Sequence, residues 1–294
     1  GTKTATHVLK DGMMITVDGA GGKVYKGKVE ALKEKKVEIK PIVHTKTKIK
    51  VIVDMPNFAS RAAQTQCKQV GLTRLEGIIA ESGKHPLGFL KHKEIEKYEK
   101  IFFQGIQKIG EHFEEIWVRT SDIRSDEFRH LDGAPEKVEL NPMLGMHGIR
   151  ASLKYSEILK AELRACDKVG KKIGIMIPQV ISLQELKDTK KIMKELGINL
   201  KLGVMIETPA AVQIIEDLCK EGIAFISFGT NDLTQFTLAI DRGNEELQDL
   251  YDEMNPAVLS QLVRVITICK KYDVETSICG QAGSNKNMVN FVVL

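Results

Sequence analysis

From about residue 49 onward, short apolar runs alternate with longer stretches of helical period. The runs fall at Lys50–Asp54, Leu72–Glu76, Ile116–Arg119, Gly174–Pro178, Gly203–Glu207, Ala224–Gly229 and Val274–Cys279. "GIMIP" and "VMIE" show no polar alternation, so strands built from them are buried on both faces. Between them, "IEKYEKIFFQGIQKIGEHF" places apolar residues at 95, 98, 101, 102, 106, 109 and 113, the spacing of an amphipathic helix. "TPAAVQIIEDLCKEG" opens on Pro209 and closes on Gly222, ordinary start and stop signals, and "PAVLSQLVRVITICKKY" has the same register. Repeated strand–helix units make a parallel sheet with helices outside it. Seven such strands within residues 49–294 fit the α/β class and an eight-stranded (β/α)8 TIM-type barrel. The competitor, an open doubly wound sheet, wants a glycine-rich phosphate loop after its first strand, and "VIVDMPNFASRAAQ" has none. The chain stops after "NMVNFVVL", a helix-like segment, so the expectation is a barrel truncated before its eighth strand.

Residues 1–28 have a different texture. "MMITVDGAGGKVYKG" alternates apolar and polar and turns at Asp18-Gly19 and Gly21-Gly22, as a short β-hairpin does. So few residues make no core of their own. They read as the tail of another domain, joined by a basic linker over 29–48 to a barrel over 49–294. Lys+Arg exceed Asp+Glu by 43 − 39 = 4. A surplus that small, spread along the chain, is no nucleic-acid footprint. No run of 18 apolar residues points to a membrane span, and no apolar stretch near residue 1 points to a signal peptide. Five cysteines without CxxC or Cys/His spacing suggest free thiols in a reducing, cytoplasmic setting. Cys67, Cys166, Cys219 and Cys269 are expected as small core hydrophobes.

In a barrel, side chains at the carboxyl ends of strands share one pocket. Those ends are polar here: Arg74, Arg119, Glu207, Asn231, Asp232 and Cys279. Two arginines, two carboxylates, an amide and a thiol suggest a site for a small polyanion. Neighbouring strands lie about 4.8 Å apart, so Glu207 and Asp232 can share one ion. Mg²⁺ takes one or two protein carboxylates and fills the rest of its shell with water and substrate oxygens. Arg74, Arg119 and Arg242 match carboxylate or phosphate in bidentate geometry. Gly229 allows close approach to the backbone, and Asn231 offers N–H donors. The plainer reading of Asn231 or Asp232 is a helix cap, and of each arginine a surface ion pair. Cys279, followed by glycine and facing arginines and an ion, is expected to favour its thiolate and to work as an acid/base group.

The pieces "GLTRLEGI", "VRTSDIRSDEFR", "NPMLGMHGIR", "IMIP", "VMIETPAA", "FISFGTNDLTQFTLAIDRGN", "NPAV" and "ICGQ" occur in one order from about residue 50 to the end. Together they resemble the PEP-utilising enzymes. "VRTSDIRSDEFR" and "LEGIIAESGKHP" are most similar to that family's phosphoenolpyruvate synthase branch, with pyruvate phosphate dikinase and enzyme I of the sugar phosphotransferase system as the alternatives. The first 28 residues resemble the end of the family's phosphohistidine domain, whose histidine and ATP-binding partner domain are not in this chain. The resemblance implies a barrel that binds pyruvate and phosphoenolpyruvate, commonly as a homodimer. It implies Mg²⁺ on Glu207 and Asp232, and substrate contacts from Arg74, Arg119, Asn231 and Arg242, with Gly229, Thr230 and Asp232 of "GTND" beside them. Cys279 would give and take the proton at the pyruvate methyl carbon. Two departures stand out. "GMHG" puts His147 where the family has another phosphate-binding arginine, leaving His147 or Arg150 to serve, and "CGQAGS" replaces the usual loop after Cys279. A binding domain without catalysis, or a stand-alone lyase-type barrel, are the competing readings.

Overall fold

Each of the seven apolar runs forms a strand within three residues of its expected bounds. Numbered in chain order after an N-terminal hairpin, β1 (Ile15–Asp18) with β2 (Lys23–Lys26), they are β3 (Val51–Ile52), β4 (Gln69–Arg74), β5 (Glu115–Arg119), β6 (Lys172–Ile177), β7 (Lys201–Ile206), β8 (Phe225–Phe228) and β9 (Glu275–Ile278). The computed structural model describes residues 4–19, 21–29, 45–170 and 172–293. It divides into two units, Gly1–Pro41 and Ile42–Leu294.

In the first unit β1 and β2 pair antiparallel, Ile15 opposite Lys26 and Asp18 opposite Lys23. Asp18 Oδ1 accepts from the Gly21 amide at 2.8 Å, and Gly22 takes φ +64°, which closes the turn. Most of the expected linker, residues 30–44, lies outside the described residues.

In the second unit the seven strands are all parallel and lie in chain order, β3-β4-β5-β6-β7-β8-β9. A doubly wound sheet reverses its order at a switch point, and no reversal occurs here. The sheet curls until its two edges approach: Lys50, beside β3, pairs with Glu275 of β9 at 2.8 Å. No eighth strand is present among the described residues. Its place is a cavity of about 620 Å³ lined by Val51, Ile52, Thr276, Ile278, Val289 and Val293. The arrangement is a half-barrel of the (β/α)8 kind.

Apolar composition explains the layering. All four residues of β8 and the last five of β7 are buried, while the edge strands β3 and β9 are only partly so. The main core lies between the sheet and its helices, with Phe102, Ile106 and Ile109 of helix Ile95–Gly110 fully covered. Some of the helices begin on side-chain caps. Ser182 and Glu185 form a reciprocal capping box, and Thr208 accepts from the Ala211 amide ahead of Pro209. "TPAAVQIIEDLCKEG" breaks at Ile214 into Pro209–Gln213 and Ile215–Lys220. Cys166, Cys219 and Cys269 are buried as expected, but Cys67 is only half-buried, its Sγ 2.9 Å from the Ile49 carbonyl in a loop before β4. No helix among the described residues is long and apolar enough to cross a membrane.

Candidate active site

Strand alternation builds the site in two tiers. On the concave face Leu72, Trp117, Met176, Met205 and Phe225 form a separate apolar floor, with Trp117 stacked on Phe225 at 4.2 Å between ring centroids. The floor is tight because Gly174 has no side chain: a Cβ there would stand 2.4 Å from the Trp117 ring. Two residues further along their strands come Arg74, Arg119 and Glu207, so parity alone delivers them above the floor. Cys279 reaches the same interior from the end of β9 and packs against the floor.

Glu207 is buried, and its Oε1 accepts from the Gln179 amide at 2.8 Å. The Gln179 side chain reaches the other acid, Nε2 donating to Asp232 Oδ2 at 3.0 Å. One residue therefore holds both carboxylates. Burial raises the pKa of each, and the negative charge of Asp232 and Asp122 adds to the rise at Glu207. Arg242 Nη2 lies 3.0 Å from Asp232 Oδ1 without hydrogen-bond alignment, so that buried oxygen keeps an open acceptor direction. Gly229 has a different use from the one expected. A Cβ there would meet Glu207 Oε2 at 2.5 Å, so its bareness admits the carboxylate.

Asp232 and Asn231 belong to the first turn of helix Thr230–Leu238, where neither caps by its side chain. Asn231 Oδ1 instead accepts from the Gln281 amide at 3.0 Å, tying the helix to the loop after Cys279. Thr230 is buried and donates to Glu253 at 3.0 Å. Gly280 packs so closely on Thr230 that a Cβ would clash with its Oγ1.

Each candidate arginine already has a carboxylate. Arg74 grips Asp54 at 2.5 and 3.0 Å. Arg119 lies 3.0 Å from Glu76 and 3.5 Å from Asp122. Burial alone would lower the Arg119 pKa, but Glu76, Asp122 and Glu207 outweigh it and raise it. Asp54, Glu76, Asp122, Glu127 and Asp232 line one cleft of about 360 Å³ with Arg74, Arg119, Arg124, Arg242 and His147. Five acids thus face four arginines and one histidine, so the cleft carries no large positive surplus.

His147 is buried, with Nδ1 2.6 Å from Asp122 Oδ1 and Nε2 2.8 Å from the Met143 carbonyl. Two acceptors call for two N–H donors, the imidazolium form. Burial opposes that charge, but Asp122 and Met143 outweigh it and the pKa is raised. With both nitrogens occupied, His147 holds Asp122 in place. Arg150 points to the Leu144 and Gly145 carbonyls at 3.4 and 3.2 Å and does not line the cleft. The Cys279 thiol departs from expectation. Burial pushes its pKa up to about 11, beyond what Arg119 and Arg74 recover, so it is protonated at neutral pH. The sequence reading passed over Gln179, Asp122, Glu76 and Asp54. Their one sequence signal is position: Asp54 and Glu76 close apolar runs, Gln179 follows one directly, and Asp122 lies three residues past Arg119.

The two acids fit a hard cation. Their four oxygens receive few protein donors, and the acceptor oxygen of buried Gln179, Oε1, also has no hydrogen-bond partner. No group of three or more His, Cys, Asp and Glu able to hold a metal occurs among the described residues. Two carboxylates are the set that Mg²⁺ ordinarily takes.

Residues 28–294 match the family described as "PEP-utilising enzyme, PEP-binding domain". A phosphoenolpyruvate synthase of Pyrococcus furiosus is 49% identical across the whole of this chain, which covers 38% of that protein. A probable phosphoenolpyruvate synthase of Archaeoglobus fulgidus is 45% identical, with 40% of it covered. A phosphoenolpyruvate synthase of Aeropyrum pernix is 32% identical, again with 40% covered. The chain therefore spans about two fifths of the length of these curated relatives. Among solved structures, an HpcH/Hpal aldolase/citrate lyase family protein from Burkholderia cenocepacia is similar at a TM-score of 0.48 and 12% identity, with 80% of each chain covered.

Proposed function

Because the chain belongs to the PEP-utilising enzymes, we propose that its half-barrel is the pyruvate and phosphoenolpyruvate site of a phosphoenolpyruvate synthase. The observation that carries this reading is a pair of acids joined through Gln179, the buried Glu207 and the partly buried Asp232, the latter lining a cleft whose arginines all face carboxylates. A multiply charged anion gains little from a neutral cleft. It gains much once a divalent cation sits on the two acids and the arginines turn to it. Mg²⁺ bound there would supply Lewis-acid stabilisation of the negative charge that builds on the ketone oxygen when pyruvate loses a methyl proton.

The chain's own residues do the rest. Arg74 and Arg119 leave Asp54 and Glu76 in part to hold the carboxylate and phosphate ends, with Arg242 and Asn231 closing from the helix side. Cys279 stands protonated above an apolar floor, the state needed to protonate the methylene carbon of phosphoenolpyruvate as the phosphoryl group departs. In the synthetic direction its thiolate takes the methyl proton, and the raised pKa makes it a strong base once formed. The phosphoryl donor would be a phosphohistidine on another domain of the same polypeptide, with ATP consumed elsewhere in the full-length protein. A homodimer through the barrel goes with this reading.

The test is exchange of pyruvate methyl protons with D₂O, followed by NMR, in the presence of Mg²⁺. The intact chain exchanges them, and Cys279→Ala slows exchange by at least about 10²-fold, the usual scale of a lost acid/base group. Equal exchange by the two proteins would remove Cys279 from its role. Absence of Mg²⁺-dependent oxalate binding in calorimetry would instead favour a domain without catalysis.

A further inference from the structure

Gln179 has four unusual properties at once. It is a non-glycine residue in the left-handed region, with φ +57°. It is 1% exposed. Its main-chain N–H goes to Glu207 and its side-chain Nε2 to Asp232. Its side-chain Oε1 is buried and has no partner.

Left-handed backbone is strained for a glutamine and persists only where the surroundings impose it. They do so from both sides. The Pro178 carbonyl accepts from the Ile149 amide at 3.1 Å, and the Val180 carbonyl accepts from the Thr208 hydroxyl at 2.5 Å. Gly148, itself at φ +61°, leaves room for the Gln179 side chain: a Cβ at Gly148 would lie 2.7 Å from Gln179 Cβ. The corner turns the Gln179 N–H toward β7 while the side chain crosses toward helix Thr230–Leu238. An extended backbone at 179 would not serve both acids.

Resting on the cation site proposed above, we infer that Gln179 is the positioning residue of that site. Its two donors fix the two carboxylates at one spacing and orientation. Its free Oε1 accepts a hydrogen bond from a water carried by the ion. Partners of this outer kind orient the ligands and typically change metal affinity by about 10–100-fold when lost.

The experiment titrates Mn²⁺ into the 294-residue chain and reads free ion by electron paramagnetic resonance, for wild type, Glu207→Gln, Gln179→Met and Gln179→Gly. Gln179→Met keeps the length of the side chain without donor or acceptor. Gln179→Gly relieves the backbone strain, so it carries the test if the methionine variant folds poorly. Expected are binding by wild type, loss in Glu207→Gln, and Kd values about 10–100-fold weaker in both Gln179 variants, with Gln179→Gly melting close to wild type without ion. A residue kept only for shape would leave Gln179→Gly at wild-type affinity. Kd values within about threefold of wild type in the Gln179 variants overturn this inference alone. No Mn²⁺ binding by wild type overturns the cation site and the inference with it.

Discussion

Glu162 shows at the scale of one residue how burial writes a pH dependence into the molecule. It accepts from Tyr98 Oη at 2.7 Å and from the Ser121 amide at 3.1 Å, in the loop between Arg119 at the end of β5 and Asp122. Burial raises its pKa to about 7, only partly offset by those bonds. A raised folded-state pKa stabilises at low pH. The contribution is complete below the unfolded value near 4.5 and is lost as pH climbs through 7. Stability should fall by on the order of 3 kcal/mol from this group between about pH 5 and pH 8. Glu162→Gln is neutral throughout and can accept from Ser121 while donating to Tyr98. Its urea midpoint should stay flatter over that range, and a slope equal to wild type would show that another group dominates. The same scale explains what could be read from sequence. Arg74, Arg119 and Glu207 were legible because strand parity needs only local chain geometry. Gln179 was not, because its role depends on a left-handed turn imposed by Ile149 and Thr208, residues distant in sequence. The Cys279 thiolate was misjudged because charges are visible in a sequence and burial is not.

At the scale of elements, the tightest fit in the sheet is Gly174 of β6 under the Trp117 ring of β5. Gly174→Ala should push the ring off Phe225 and cost about 1–3 kcal/mol, as overpacking does. Thermal denaturation measures it, and near-ultraviolet circular dichroism should register the lost Trp117–Phe225 stacking. Gly280→Ala tests a different joint. It forces the loop after Cys279 away from Thr230 and should reduce proton exchange more than it reduces stability, since that loop carries little of the core. Strand identity and order were legible because fully apolar runs and capped helices repeat in a fixed rhythm. The break at Ile214 was not, since its apolar residues keep helical period across the break.

At the scale of the molecule, the sheet has two edges facing each other over a cavity, with Lys50 and Glu275 spanning them. Among the described residues β9 pairs only with β8, and half of it is exposed. Its amides should exchange with deuterium well before those of β7, which is paired on both sides. Lys50→Met should widen that difference and make it insensitive to salt. Uniform protection across all seven strands would contradict an open seam.

The seam gives Cys279 a second use, as a clock. Its thiol is protonated and half-buried on the wall of that cavity, so the rate at which an alkylating reagent such as iodoacetamide meets it follows how often the wall swings outward. Labelling followed by peptide mapping would then time the motion of β9 itself. A ligand that bridges Arg119 of β5 and Asn231, whose Oδ1 already holds the loop after Cys279, would slow that clock.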